Sequence, residues 1–178
     1  MTKLVKLVVV GAIAAHALML IGCGGKTMGR YNIELALDPA LAAQAVPPSI
    51  TVNIVAPPSA EEGRWRSADM GEYWNTGNQF RVDSMATGKV KEFEFGPGNV
   101  APKKLSASDP VWEQWSGSEY IFVLARLSSP TGSGESDTRR LVLERDTKYW
   151  SGETIKIRLQ RGVMSLDTPK TPPPPPKG

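Results

Sequence analysis

Cysteine and histidine are almost missing from this chain of 178 residues, which has one of each, Cys23 and His16, both near the N-terminus. A single cysteine cannot close a disulfide within the chain, so stability in an oxidising compartment has to come from packing. Aromatic residues are few, at 7%, and the 15 Pro and 17 Gly break up any long helical period. An extended helical protein is thereby excluded, and 178 residues suffice for one domain with one core but not for a large multidomain enzyme. Long apolar runs are also scarce. The one that exists, Leu7 to Leu20, follows Lys3 and Lys6 and is too short to span a bilayer comfortably, but it has the length of a signal-peptide core.

That run ends in Leu20-Ile21-Gly22-Cys23. The segment resembles the lipobox of bacterial lipoproteins, with an aliphatic residue three before the Cys and a small residue beside it. The resemblance implies that 1–22 is a signal peptide, that Cys23 is diacylglyceryl-modified and becomes the new N-terminus, and that the chain is anchored in a membrane by lipid. Such cleavage removes two lysines and no acid, lowering the formal charge from +3 to +1 and taking away the electrostatic basis for nucleic-acid binding. It also removes the only His and masks the only thiol. Ser-His-Asp and Cys-His catalysis and His- or Cys-ligated zinc are then excluded, and no cofactor is expected. Gly24, rather than Asp, follows the Cys, which by the sorting rules of enteric bacteria favours the outer membrane facing the periplasm.

Residues 23–30 are small, polar and glycine-rich, and are expected to form a flexible tether. Gly24-Gly25-Lys26-Thr27 is superficially like the end of a phosphate-binding loop, but the first Gly of that spacing is absent and no strand precedes it. From Tyr31 to Leu166 the chain alternates apolar and polar residues between turn signals. Strands are expected at 31–37, 50–54, 90–95, 120–127, 140–144, 155–160 and 163–166. The stretch 120–127 is apolar on both faces, which predicts a central strand covered on two sides. Asp167 to Gly178 contains six prolines, among them Pro172 to Pro176, and is expected to be an extended tail. These spacings predict an all-β fold: an antiparallel two-layer sandwich of transthyretin or immunoglobulin type over 31–166, carrying one or two short helices.

Two aromatic segments interrupt the strands. Ser67 is a plausible N-cap for a short helix over 68–74 whose Met70, Tyr73 and Trp74 share one face. With Trp65, this face is expected to cover the open end of the β core. The sharper alternative makes Trp65, Tyr73 and Trp74 an exposed partner-binding surface, beside Arg64 and Arg66. Trp112 and Trp115 share the face of a single turn after Asp109-Pro110, and core capping is the expectation there. Acidic pairs occur at Glu61/Glu62, Glu92/Glu94 and Glu113/Glu119, but nearness in sequence does not create the geometry of a carboxylate enzyme. No catalytic residue is named.

Three stretches resemble the outer-membrane lipoprotein of the bacterial type VI secretion system: Ser49 to Val55, Trp65 to Tyr73 and Tyr120 to Arg126. The family commonly has an Arg and a Tyr-Gln-Leu run where this chain reads Asn53-Ile54-Val55-Ala56-Pro57, and its helical segment is more aromatic at the positions of Met70 and Gly71. The resemblance implies a small transthyretin-like sandwich serving as a non-enzymatic adaptor, holding another envelope protein through its loops. The other readings are a cell-envelope spacer whose proline tail is the active part, and a carboxylate-dependent periplasmic enzyme.

Overall fold

A computed structural model describes residues 29–171, so the proposed signal peptide, Cys23 and Pro172 to Pro176 lie outside the described residues. Eight strands form two four-stranded sheets packed face to face. The first sheet has the order β4 (Lys103–Leu105), β1 (Asn32–Leu37), β7 (Thr154–Leu159), β8 (Met164–Leu166); the second has β3 (Val90–Phe95), β2 (Ile50–Val55), β5 (Tyr120–Ala125), β6 (Arg140–Glu144).

Alternation in the sequence becomes alternation in burial. In β1, Ile33, Leu35 and Leu37 are buried while Asn32, Glu34 and Ala36 are not, and β7 repeats this with Ile155, Ile157 and Leu159. These side chains meet Ile50, Val52, Ile54, Phe95, Ile121, Val123, Ala125 and Leu143 from the second sheet in one core. Trp112, on the helix Val111–Gln114, and Trp115, its C-cap, are fully buried in the same core with ring centroids 5.1 Å apart at 80°. Their role is the expected core capping.

The strand expected to be covered on two sides is β5, which lies between β2 and β6 and is buried at every position after Tyr120. The second sheet therefore differs from the first: both its faces are covered. Its outer face carries Val55, Phe122 and Leu124 beneath a second cluster formed by Trp65, Met70, Tyr73 and Trp74.

The structure corrects the expected topology at one pair. β1 and β7 run parallel, in register from Asn32 with Thr154 to Leu37 with Leu159, whereas the other pairings are antiparallel. Alternation specifies which face a side chain occupies but carries nothing about strand direction. Among the described residues five short α-helices decorate the sandwich where the sequence pattern marks one or two: α1 (Pro39–Ala42), α2 (Glu62–Ser67), α3 (Met70–Tyr73), α4 (Gln79–Ala86) and α5 (Val111–Gln114). α4 has no buried residue and hence no apolar stripe to betray it, and β4 is only three residues long.

Both ends of the described chain lie at one pole. Gly29 packs so closely on Thr147 that a β-carbon there would collide with it, and Tyr31 Oη donates to Glu144 O at 3.0 Å. At the other terminus Thr171 N donates to Tyr149 O at 2.8 Å, Lys170 bridges to Trp150, and its Nζ pairs with Glu144. Since β1 runs away from this pole, α1 and the segment to Ser49, the loop 127–139 and the turn 160–163 form the opposite pole. There Ser129 N meets Arg161 O, and Thr138 Oγ1 donates to Gly162 O at 2.6 Å.

Candidate interaction site

The aromatic segment does not cover the open end of the core, as expected; it covers the outer face of the second sheet. Helix α2 is amphipathic over little more than one turn, and only Trp65 is buried from it. Ser67 does not cap the next helix, because its Oγ is turned back to Gly63 O at 2.9 Å. Asp69 takes that role, its Oδ1 accepting from Glu72 N at 2.9 Å and starting α3. Trp65, Tyr73 and Trp74 are 2%, 1% and 7% exposed, so the rings singled out as a partner surface form a packed layer against β2 and β5. Phe80 of α4 completes it, its centroid 4.5 Å from that of Trp65, and Tyr73 meets Trp74 edge-on at 5.1 Å.

Polar groups fix this layer. Asn53, fully buried on β2, donates from Nδ2 to Tyr73 Oη at 2.9 Å. Burial pushes the Tyr73 phenol above its usual range, and the Asn53 hydrogen bond and Arg81 pull it partly back. Arg140 on β6 is buried and donates to the carbonyls of Arg66, Ala68 and Gly134, tying the end of α2 to the sheet edge. Arg145 does the same at the other end of β6, donating to Trp115 O and Ser118 O. Burial lowers the pKa of both guanidiniums. Neither buried arginine was identifiable in the sequence, since arginine is ordinarily solvated and nothing local marks one that collects backbone carbonyls.

What reaches solvent above this layer is a cleft of about 170 Å³ between α2, α4 and the ends of β2 and β3. Trp65 and Phe80 line it with Val55 and Pro57, and Glu61, Arg64, Asp83, Ser84, Thr87 and Lys89 surround them. Its acids are engaged within the chain: Glu61 lies 3.9 Å from Lys89 Nζ, and Asp83 Oδ1 accepts from Gln79 Nε2 at 2.6 Å. Arg64 lies 4.1 Å over the Phe80 ring and is exposed.

The acidic pairs noted in the sequence are dispersed among ion pairs. Glu62 binds Arg66 at 2.6 Å, Glu92 binds Arg81 at 2.8 Å and Glu113 binds Arg30 at 2.5 Å. Among the described residues no group of three His, Cys, Asp or Glu could hold a metal ion, and no helix is long and apolar enough to cross a membrane. At about 170 Å³ the cleft is smaller than the 300–1,000 Å³ usual for a cofactor or drug-sized ligand, and it has the size of one or two side chains.

No protein-family profile matches the sequence, and no curated protein matches it. Solved structures do. A chain of the structure described as "T6SS protein TssM C-terminal domain from EAEC" superposes with a TM-score of 0.50 at 16% identity, over 76% of this chain and 98% of that one. The membrane-bound type VI secretion component Lip of Serratia marcescens gives 0.42 at 15% identity over 76% and 96%. The type VI secretion lipoprotein TssJ1 of Pseudomonas aeruginosa gives 0.38 at 18% over 82% and 98%. At such identities the likeness is one of fold: this chain has the two-layer sandwich found in a type VI secretion structure.

Proposed function

We propose that this chain is a lipid-anchored, non-enzymatic adaptor of the bacterial cell envelope, and specifically the outer-membrane lipoprotein of a type VI secretion system. Cys23 carries the lipid, in the outer membrane facing the periplasm, and the partner is another envelope protein. The observation that carries this reading is the placement of both ends of the described residues, Gly29 and Thr171, at one pole. With Gly29 seated on Thr147, six residues after Cys23, the sandwich stands on its anchor-side pole and holds the loops of the other pole away from the bilayer. That distal pole presents Val46, which is 74% exposed between α1 and β2, an apolar side chain free for contact. Several acyl chains make release slow because each buried methylene contributes about 0.8 kcal/mol. The spacer reading fits less well, since Thr171, which precedes the prolines, is tied to Tyr149 at the anchor-side pole.

The test is a crosslinked pull-down of the full-length protein from native membranes, beside Cys23→Ala, Val46→Glu and deletion of 172–178, with bound proteins identified by mass spectrometry. A large inner-membrane secretion component should be recovered by the wild type and the tail deletion, and lost in Cys23→Ala and Val46→Glu. Recovery of nothing specific by a lipidated sample refutes the adaptor reading.

A further inference from the structure

The cleft between α2 and α4 is separate from the distal loops and has no part in anchoring. Three observations bear on what it receives. Its floor is aromatic, Trp65 and Phe80, flanked by Val55 and Pro57. Glu61 and Asp83 at the rim are satisfied by Lys89 and Gln79. Arg64, in contrast, has no carboxylate partner among the described residues and is held on the Phe80 ring at 4.1 Å, which limits the freedom its guanidinium loses when it binds an anion.

We propose that this cleft is a second docking site, taking one aliphatic side chain of a partner protein, with an adjacent carboxylate of that partner paired to Arg64. The volume admits a leucine-sized anchor and little more, the pattern of an interface hot spot in which one side chain fills a pocket and a charge at the rim fixes its register. The uncompensated cation sets the sign of the partner's charge. The inference rests on the adaptor reading only in taking a protein as the source of the carboxylate.

The experiment labels the full-length protein in detergent micelles with 5-fluorotryptophan, assigns the Trp65 resonance with Trp65→Phe, and titrates N-acetyl-leucyl-glutamate methylamide against its glutamine counterpart. A saturable shift of the Trp65 signal is expected, with Kd on the order of 0.1–1 mM for the glutamate peptide. The glutamine peptide should bind about fivefold more weakly. Arg64→Gln should erase the difference between the two peptides, and Thr87→Trp, an exposed change that fills the mouth, should abolish the shift. No saturable shift at Trp65, or equal binding of the two peptides to the wild type, overturns the proposal. In the membrane pull-down, a partner retained equally by Arg64→Gln and Thr87→Trp leaves the adaptor standing and the cleft refuted, whereas loss of the distal-loop partner in Val46→Glu bears on the adaptor alone.

Discussion

The hydrogen bond between Asn53 and Tyr73 offers a sharp test of how the outer aromatic layer is held. Asn53 sits at the middle of β2, in register with Glu92 of β3 and Leu124 of β5, and is fully buried. Its Nδ2 donates to Tyr73 Oη at 2.9 Å, while its Oδ1 has no partner. Tyr73→Phe preserves the ring that packs on Trp65 at 6.0 Å and Trp74 at 5.1 Å and removes one oxygen, so almost no cavity term arises. It strands the whole carboxamide in an apolar layer, which should cost about 1–3 kcal/mol. Asn53→Val removes both amide atoms, including the unpartnered Oδ1, and suits a strand, so its cost should stay below about 1 kcal/mol. Removing both partners together should return stability to within about 0.5 kcal/mol of the wild type, because no buried group is then left unpaired. The expected coupling is therefore about 1–3 kcal/mol. Urea unfolding followed by far-UV circular dichroism measures the four species without interference from Trp fluorescence. Additive single effects, or a Tyr73→Phe change below about 0.5 kcal/mol, would refute the reasoning.

Other consequences follow from the same geometry. Burial raises the phenol pKa values of Tyr31 and Tyr73, so the stability they contribute is complete below their unfolded value and declines as pH rises above about 10; Tyr31→Phe should flatten that decline in thermal melts. Asp137 and Asp109 behave oppositely: burial pushes each carboxyl up, but hydrogen bonds from Arg139 and Lys91 outweigh it and hold both below the usual value. Their contribution is present above about pH 4 and is lost on acidification, and Asp137→Asn should lower the melting temperature at pH 7 much more than at pH 3. Arg145→Met removes the Nη1 donor shared by Trp115 O, which keeps its bond from Ser118 N, and Ser118 O, which loses its donor, and should cost about 1–3 kcal/mol in urea unfolding. In bilayers carrying lipid-borne spin labels, amide signals of Lys148 and Tyr149 should broaden and that of Val46 should not; the reverse pattern would contradict the assigned poles.

Local alternation alone marks the strands expected at 31–37, 50–54, 90–95 and 155–160, and the two-layer class that so many short strands require. The sequence also marked β5 as doubly covered, because a strand apolar on both faces has nowhere else to go. Trp65 is marked in the sequence as an aromatic beside Arg64, yet Ser84 and Thr87, which close the same cleft, lie on and just after a helix with no apolar stripe and gave no signal. Long-range packing alone makes β1 and β7 parallel, lays α2 and α3 on the sheet's outer face rather than over the end of the core, and buries Arg140 and Arg145 where they gather carbonyls. The division has a physical cause. Periodicity is a local property that fixes which side of a strand is apolar, whereas strand direction, the covering of a face and the burial of a charged group depend on contacts between residues far apart in the chain.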